Sequence, residues 1–394
     1  MSEAAATPDP DTLLAGSAHF QVDELPAYPF SGEGEHLYVH IEKEGMTTDA
    51  VAQVLGKTCG VAHRAIGFAG RKDRHGITRQ WFSLHFADPA RLAALDGRVD
   101  RGGRLAILAT TKHRNKIRLG HLAGNRFKLG CRISDPAAIT TALARLSREG
   151  ISNRFGPQRF GLAGSSLRLA QAWGRGDITA AVAICLDPTG EWKPGDPVPD
   201  GYRYPPEGGV VAAMRRNPSD LAGALRGGGP DLRKLVASAA QAAVFNAVLD
   251  ARAAAGLTHR LRVGDLACAS NGAPFTVIEA DLEDVNRRAQ PGNLDVRATG
   301  PLPGTWRLGP SAEVSAEERA WSAATGIDWA WFAEGACFES PGERRPLLQR
   351  FVEPPTLTVE GDVTWLAFAL PAGCYATEVL HQIGVAVPED RRGK

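Results

Sequence analysis

Residues 69–86 read AGRKDRHGITRQWFSLHF and join a charged segment to a predicted β-strand. The charged segment contains one carboxylate, Asp73, among lysine and arginine neighbours. After it, apolar and polar residues alternate, and this pattern predicts a strand with Phe82, Leu84 and Phe86 on one side. The stretch therefore predicts a cationic loop that presents a single acid at the start of a strand.

Strand and helix patterns continue outward from this stretch. Residues 19–24, 36–43, 104–110 and 125–133 alternate as strands do, and Thr47 or Thr48 can cap a helix that ends near Gly60. The further predicted elements are a helix from Asp135-Pro136 to Gly150, Ala-rich helices at about 164–186 and 231–255, short strands within 258–300, a helix at 315–325 and a hairpin at 356–370. Strands thus dominate before residue 161 and return after 326, with Ala-rich helices between them.

The bulk composition is that of a soluble globular protein. The chain has 394 residues, of which 43% are hydrophobic and 23% charged. Six cysteines occur without a C-x-x-C pair, which argues against a zinc ribbon or a disulfide scaffold. Neither a signal peptide nor an apolar run long enough to span a membrane is present, so we expect a cytoplasmic protein whose residues 1–17 form a flexible tail.

Positive charge is concentrated in one region although the net charge is only +1. Residues 61–132 contain 16 Lys/Arg and 4 Asp/Glu, a net of +12, which leaves −11 for the remainder. A period of two relates Lys112, Arg114, Lys116 and Arg118, and Arg126 and Lys128 share one face of the strand at 125–133. If the stretch 112–118 is extended, these residues form a basic row that would contact phosphates. A solvated basic face is the alternative.

Several common motifs are absent from the sequence. GEGEH at 32–36 lacks the third glycine of a dinucleotide loop, and there is no Walker motif, H-E-x-x-H or G-x-S-x-G. We therefore predict no metal and no cofactor. A cofactor-free enzyme or a binding protein remains.

Two further segments could recognise an unpaired base. GNRF (124–127) places Asn125 and Phe127 near several cations, and a base can hydrogen-bond to the one and stack on the other. NRFGPQRF (153–160) combines two aromatic residues, two arginines and a glutamine in a loop. Taken alone, these segments also fit a purely structural interpretation, in which Phe127 is a core residue. In the same way, the loop that contains Asp73 could be a charged turn in solvent.

Seven blocks of the sequence, in order from about residue 18 to 382, together resemble the TruD family of pseudouridine synthases. The blocks are FQVDE, GEGEHLYVHIEKEGMTT, AGRKDRHGITRQW, GNRF, NRFGPQRFG, TGPLPG and LPAGCYATEVL. The chain departs from the family pattern at Gly76, where alanine is usual, and at Arg154, where an aromatic is common. One block would be weak support, whereas seven in register are specific.

The resemblance implies an α+β fold in two parts. A pseudouridine-synthase catalytic domain, with a mixed and mainly antiparallel sheet flanked by helices, would comprise residues 18–155 and 311–394. A family-specific α/β insertion domain would occupy 156–310.

The resemblance also implies the site residues. Asp73 matches the catalytic aspartate. The expected substrate and RNA contacts are Phe20, Glu24, Lys72, Asn125, Phe127, Phe155, Gln158, Arg159, Arg345 and Tyr375. The implied activity is isomerisation of uridine to pseudouridine in tRNA, at position 13. We expect a monomer, and no protein partner is implied.

For the mechanism, Asp73 could attack C1′ of the ribose or remove the C2′ proton. Lys72 or Arg71 would hold the carboxylate, and Phe127 would stack on the extruded base. Two rival functions remain: a non-catalytic RNA-binding or RNA-folding protein, and a nucleoside or glycoside hydrolase that pairs Asp73 with Glu24.

Overall fold

The computed structural model describes residues 11–95, 97–100, 103–189, 191–199 and 207–388. Its contacts divide the chain into two compact units. Unit 1 comprises the described residues up to Ser147 and from Gln349 onward, and unit 2 comprises Arg148–Leu348. Residues 1–10 of the predicted tail lie outside the described residues.

The helices and strands alternate along the chain in the following order. The strands are β1 Thr12–Leu13, β2 Phe20–Pro26, β3 His36–Glu44, β4 Ile66–Phe68, β5 Ile77–His85, β6 Arg98–Asp100, β7 Gly103–His113, β8 Leu122–Arg132, β9 Ile151–Ser152, β10 Leu266–Ala269, β11 Pro274–Thr276, β12 Val296–Leu302, β13 Glu343–Pro346, β14 Leu348–Gln349, β15 Glu353–Glu360 and β16 Val363–Pro371. The α-helices are α1 Thr48–Cys59, α2 Pro136–Glu149, α3 Ser165–Gly174, α4 Ile178–Leu186, α5 Gly208–Arg216, α6 Leu221–Gly227, α7 Gly229–Ala254, α8 Leu282–Ala289, α9 Ala312–Ser322 and α10 Ala376–Gln382.

A large sheet forms the centre of unit 1. Its strand order is β15-β16-β8-β2-β5-β3-β7-β6, with β1 beside β8 and β4 beside β5. The pair β2–β5 is parallel, and the other described pairs along this order are antiparallel. The sheet is therefore mixed and mainly antiparallel, as predicted.

Helix α1 covers one face of this sheet. The Thr47 side chain accepts a hydrogen bond from the N–H of Ala50 and so caps the helix, which ends at Gly60 in the left-handed conformation. The buried stripe of the helix includes Val51 and Leu55, which pack in one cluster with Phe82 of β5. Because alternate residues of a strand point to opposite faces, this packing fixes which residues of β5 face the core.

Unit 2 combines Ala-rich helices with a second sheet. The antiparallel sheet has the order β11-β10-β12-β13. The long helix α7 contributes Val236, Ala240 and Val244 to a core that also contains Trp329 and Phe332. Pairing of β13 with β12 places the chain near residue 345 in the sheet of unit 2, so this compact unit extends to Leu348.

The structure differs from several sequence-based expectations. The helix predicted at 164–186 is two helices, because Gly176 has a φ of +79° and Asp177 caps a new helix by accepting from the N–H of Ala180. Helices α5, α6, α8 and α10 were not predicted. Strand β5 ends at His85, so Phe86 leaves the apolar face and is 71% exposed.

Part of the predicted tail is paired with the sheet. Thr12 and Leu13 of β1 pair with Arg132 and Cys131, and Leu13 is 1% exposed. Burial of the Leu13 side chain stabilises the pairing of β1 with β8. Among the described residues, no helix has both the length and the apolar character that crossing a membrane requires.

Candidate active site

Asp73 lies in the loop between β4 and β5, and its side chain is exposed. Its Oδ1 accepts a hydrogen bond of 2.8 Å from the N–H of His75, two residues further along the same loop. Within the described ranges, no side-chain nitrogen of Lys, Arg or His lies within 4.0 Å of this carboxylate. The loop thus presents an acid to solvent without a direct ion-pair partner.

The two cations expected to hold Asp73 bind other carboxylates. Arg71 donates to Asp49 at 3.1 Å in an exposed pair. Lys72 Nζ donates to Glu24 Oε2 at 2.6 Å, with both side chains no more than 5% exposed. Burial raises the pKa of the Glu24 carboxyl, and the Lys72 ammonium opposes that shift. Lys72 is therefore committed to neutralising Glu24, since a buried carboxylate requires a partner.

Buried polar side chains fix the main chain of the first half of the loop. The hydroxyl of Thr48 accepts a hydrogen bond of 2.9 Å from the N–H of Lys72 and donates to Gln80 Oε1 at 2.9 Å. Gln80 Nε2 in turn donates to the carbonyl oxygen of Gly70 at 3.1 Å. Both Thr48 and Gln80 are at most 1% exposed, so these bonds are shielded from water.

The second half of the loop is fixed from β3 and the turn that follows it. The N–H of Gly45 donates to the carbonyl oxygen of Arg74 at 3.1 Å, and Arg74 Nε donates back to the carbonyl oxygen of Gly45 at 3.0 Å. Lys43 Nζ donates to the carbonyl oxygen of Asp73 at 2.7 Å. The exposed carboxylate therefore stands on a main chain whose carbonyl and amide groups are held, which is the preorganisation a reacting group requires.

Three phenylalanine side chains, Phe20, Phe127 and Phe368, pack in a row that begins beside the loop. A Cβ placed on Gly76 would lie 2.6 Å from the carbonyl oxygen and 2.9 Å from Cδ1 of Phe20, so only glycine allows this close approach. The ring of Phe20 makes an edge contact with Phe127, with centroids 6.4 Å apart, and Phe127 also packs on Phe368 at 5.7 Å. In this chain, Gly76 therefore allows the main chain of the loop to approach Phe20 closely.

Asn125 lies beside Glu24 in the sheet. The two residues are direct partners in the antiparallel pair β2–β8. Oδ1 of Asn125 is buried and has no hydrogen-bond partner among the described residues. An orphaned buried acceptor costs free energy, so such an atom is well suited to receive a donor from a ligand.

The basic row from 112 to 118 is not one extended face. Strand β7 ends at His113, and Ile117 turns inward, where it is 4% exposed and donates its N–H to Ser83 Oγ at 3.0 Å. Because Ile117 is drawn into the core, the residues around it leave the sheet. Lys112 and Arg118 are exposed, Arg114 pairs with Glu33, and Lys116 donates to the carbonyl oxygen of Arg64 at 2.6 Å.

Arg126 and Lys128 lie on the face of β8 opposite to Phe127. Arg126 donates to Glu353 through two nitrogens, with 2.7 Å between Nε and Oε2. Lys128 Nζ lies 4.6 Å from the ring centroid of Trp365. Their opposite orientation follows from the period of two in a strand. Phosphate contact by these residues stays a prediction.

Unit 2 contains another group of the predicted residues. Phe155 is 7% exposed, and its N–H and carbonyl oxygen bond to the amide of Asn246 at 3.0 and 2.9 Å. The guanidinium groups of Arg345 and Arg159 lie 4.4 and 5.3 Å from the centroid of the Phe155 ring. Gln158 is exposed in the following turn. The structure thus brings Phe155, Arg159 and Arg345 together in this unit.

Residues 12–196 and 186–383 match the family described as tRNA pseudouridine synthase D (TruD). The chain is 38% identical over 392 residues to a tRNA pseudouridine synthase D of Geobacter metallireducens, with 94% of each chain covered. It belongs to the TruD family. A tRNA pseudouridine synthase D of Xanthomonas campestris is 34% identical over 381 residues, covering 94% of this chain and 90% of the relative.

The TruD fold is also found by comparison with a solved structure. A protein titled putative tRNA pseudouridine synthase D from Methanosarcina mazei superposes with a TM-score of 0.69 at 22% identity, covering 95% of this chain and 93% of that chain. The family and fold class expected from the sequence are confirmed.

The sequence did not reveal the residues that support the loop containing Asp73, or those that support residues 153–160, here called the Phe155 segment. They are Lys43, Thr48, Gln80 and Asn246. A signal was present for Lys43, which follows Val39 and Ile41 at a period of two and so takes a core-facing position of β3.

Tyr375 directly precedes α10 and is half-buried. Within the described ranges, no group of three or more His, Cys, Asp or Glu side chains could hold a metal ion.

Proposed function

We propose that this chain isomerises uridine to pseudouridine in tRNA, at position 13, and that Asp73 is its essential catalytic carboxylate. Membership of the TruD family supports the reaction class. The observation that carries the role of Asp73 is its geometry: an exposed acid without an ion-pair partner within 4.0 Å, in the described part of the chain, on a loop held by buried polar groups.

The reaction needs little beyond a positioned carboxylate. The N1–C1′ bond breaks, a C5–C1′ bond forms, C5 loses a proton and N1 gains one. No atom is added and no electron is transferred to another molecule. Asp73 can act by attacking C1′ as a nucleophile or by removing the C2′ proton to give a glycal, and both routes require the ionised carboxylate near the ribose.

The neighbouring side chains suit a uracil base. Asn125 Oδ1, a buried acceptor without a described partner, is complementary to the N3–H of uracil, whereas cytosine has no proton at N3. Phe20 is half-buried beside the loop, and Phe127, which is 7% exposed, packs against it in the core. An extruded base is proposed to stack against this aromatic pair. Glu24 and Lys72, next to Asn125, form an ion pair with each other that has no net charge. Neither side chain bonds to Asn125 Oδ1, which leaves this acceptor available for the base.

Unit 1 is proposed as the catalytic domain and unit 2 as the TruD-specific insertion. Unit 1 carries Asp73, Phe20 and Asn125 together with the exposed cations Lys112 and Arg118, which would contact tRNA phosphates. The Phe155 segment and Arg345, in unit 2, are proposed to contact tRNA as well. We place the enzyme in the cytoplasm as a monomer that needs no cofactor or metal.

The deciding experiment compares wild type, Asp73→Asn and Asp88→Asn on unmodified tRNA. Asp88 is an exposed aspartate that caps the turn after β5, and it serves as the matched control. Pseudouridine is detected by mass spectrometry of digested tRNA after carbodiimide labelling, and proton loss from C5 by tritium release. We expect product from wild type and Asp88→Asn, and tRNA binding without product from Asp73→Asn.

Three outcomes would contradict the proposal in different ways. Product from Asp73→Asn would remove the assigned role of Asp73. Salt-sensitive tRNA binding by wild type without tritium release would favour the RNA-binding alternative. Release of free uracil, seen by chromatography, would favour a hydrolase in which Asp73 and Glu24 act as a pair.

A further inference from the structure

Lys43 is a charged residue in a core-facing position. In β3 the residues Leu37, Val39 and Ile41 are at most 4% exposed, and Lys43 continues this face with 1% exposure. Its neighbours across the sheet are Thr78 of β5 and Leu105 of β7. Burying an ammonium group is costly, so its retention at this position requires an explanation.

The ammonium of Lys43 is surrounded by carbonyl oxygens of two loops. Nζ donates to the carbonyl oxygen of Asp73 at 2.7 Å, to that of Met46 at 2.8 Å and to that of Lys72 at 3.4 Å. Among the described residues, no carboxylate oxygen lies within 4.0 Å of Nζ. The three protons of the ammonium therefore tie the loop that contains Asp73 to the turn after β3.

We propose that Lys43 is the positioning residue of the active site: its buried ammonium holds the main chain of Asp73 and places a positive charge behind the reacting carboxylate. This inference rests on the proposed catalytic role of Asp73. Lys43 itself would not touch the substrate, because it is buried and its protons are directed at main-chain oxygens. It acts through Asp73, whose position a shift of the main chain would alter.

The Lys43 ammonium can lose its proton within the pH range in which enzymes usually work. Burial lowers the pKa of the Lys43 ammonium to about 8, and the Asp73 carboxylate partly opposes this shift. Lys72 is the other charged group that acts on it, while Thr78 and Leu105 carry no charge. Loss of the proton removes one of three donors and the positive charge behind Asp73.

A purely structural role would give different results from a positioning role. If Lys43 only stabilised the fold, a folded variant would retain the rate of the chemical step and its pH dependence. If Lys43 positions Asp73, the chemical step slows in the folded variant while tRNA affinity, which depends on phosphate contacts, is retained. The wild-type rate would also fall as Lys43 loses its proton.

The test measures single-turnover pseudouridine formation at saturating enzyme for wild type, Lys43→Met, Lys43→Arg and Lys57→Met. Lys57 is an exposed lysine of α1 and provides the matched control. We expect Lys43→Met to lose about 100-fold in rate, the size expected for misplacing a reacting group by roughly 1 Å. Its tRNA affinity, measured by filter binding, should equal that of Lys57→Met. Lys43→Arg, which keeps the charge, should recover part of the rate.

The pH profile supplies a second measurement that needs no variant to fold. The wild-type rate should fall as the pH rises through about 8, and Lys43→Arg should lack this fall because arginine stays charged. Overturning results are a folded Lys43→Met with the wild-type rate, or a wild-type profile that stays flat up to about pH 9.5. If Asp73→Asn is inactive and Lys43→Met fully active, only this inference fails. If Asp73→Asn is active, the proposed catalytic role of Asp73 fails, and this inference fails with it.

Discussion

The Lys72 ammonium lies 2.6 Å from the Glu24 carboxylate, and the two side chains are 5% and 2% exposed. Removing one member of such a pair leaves the other as an uncompensated buried charge. We therefore expect Lys72→Met to lower the free energy of unfolding by about 3–5 kcal/mol in urea titrations. The loss arises because Glu24 would have to be buried without its counter-charge or take up a proton.

The double variant Glu24→Gln/Lys72→Met tests the cause of this loss. If the uncompensated charge is responsible, the double variant should be more stable than Lys72→Met alone, since both charges are removed together. Arg71→Met provides the matched control, because Arg71 makes an exposed pair with Asp49 that is expected to contribute about 1 kcal/mol or less. Additive losses from the two buried residues would contradict a coupled pair.

Asn125 is expected to contribute to uracil recognition and little to tRNA affinity. Asn125→Ala removes a buried acceptor that we assign to the N3–H of the base. One hydrogen bond contributes about 1–3 kcal/mol when its partner would otherwise be buried unpaired, so kcat/KM should fall roughly 10- to 100-fold. Steady-state kinetics on unmodified tRNA measure this. An unchanged kcat/KM would exclude a contact between this side chain and the base.

Arg118 is expected to contact a phosphate because it is exposed on the strongly basic segment. Each neutralised phosphate adds about 0.7–0.9 to the slope of log affinity against log salt, and Arg118→Gln should reduce the slope by about that amount. Binding titrations between about 50 and 200 mM salt measure it. Lys57→Gln, at an exposed site on α1, is the control and should leave the slope unchanged.

Arg126 offers a contrast to Arg118. It must break its two bonds to Glu353 before it can reach a phosphate, so Arg126→Gln should change the salt slope less than Arg118→Gln does. An equal or larger change would indicate that the pair with Glu353 opens when tRNA binds.

The strands and the α1 helix could be predicted because their signals are local. Alternation in β3 and the hairpin β15–β16, and a Thr cap with a glycine end for α1, are consequences of periodicity and backbone preference. Phe86 shows the limit of such reasoning. Its apolar character continues the pattern of β5, but the chain turns at this residue, with a φ of +49°, ahead of Asp88-Pro89.

The sequence named candidate residues of the site but could not give the contacts between them. Asp73, Phe20 and Phe127 could be named from family blocks, but the ion-pair partner of Lys72 could not, since Glu24 is distant in sequence and only the pairing of β2 with β5 and β8 brings it near. Lys43 shows the difference between a position that can be predicted and contacts that cannot. Its core-facing position was visible, whereas the carbonyl oxygens that it holds come from loops whose path the sequence does not specify.

Lys43 should also give the folded protein a characteristic pH dependence of stability. Its pKa is about 8 in the folded state and near 10.5 when unfolded, so between these values the unfolded chain binds a proton that the folded chain does not. The contribution of Lys43 to the free energy of unfolding therefore rises as the pH increases from about 8 to 10.5, and it is lost as the pH falls through about 8.

The difference in unfolding free energy between wild type and Lys43→Met isolates this contribution, because other titrating groups cancel. We expect the difference to shift in favour of wild type between about pH 7 and pH 9.5. The rate of the chemical step should fall over the same range, so activity and this part of the stability would change in opposite directions. A pH-independent difference would show that Lys43 titrates normally or not at all in this range.

Asn246 of α7 should be essential for the conformation of the Phe155 segment. Its Oδ1 accepts a hydrogen bond from the N–H of Phe155 and its Nδ2 donates to the Phe155 carbonyl oxygen, and Asn246→Ala would remove both bonds beside a buried ring. One hydrogen bond contributes about 0.5–1.5 kcal/mol, so we expect the loss of two to lower the unfolding free energy of unit 2 by about 1–3 kcal/mol. Asn271→Ala, at an exposed turn, should change it by about 0.5 kcal/mol or less. Hydrogen exchange at residues 153–160, followed by mass spectrometry, should accelerate in Asn246→Ala and stay unchanged in Asn271→Ala. Unaltered exchange in Asn246→Ala would mean that the packing of Phe155 against Arg345 suffices to hold the segment.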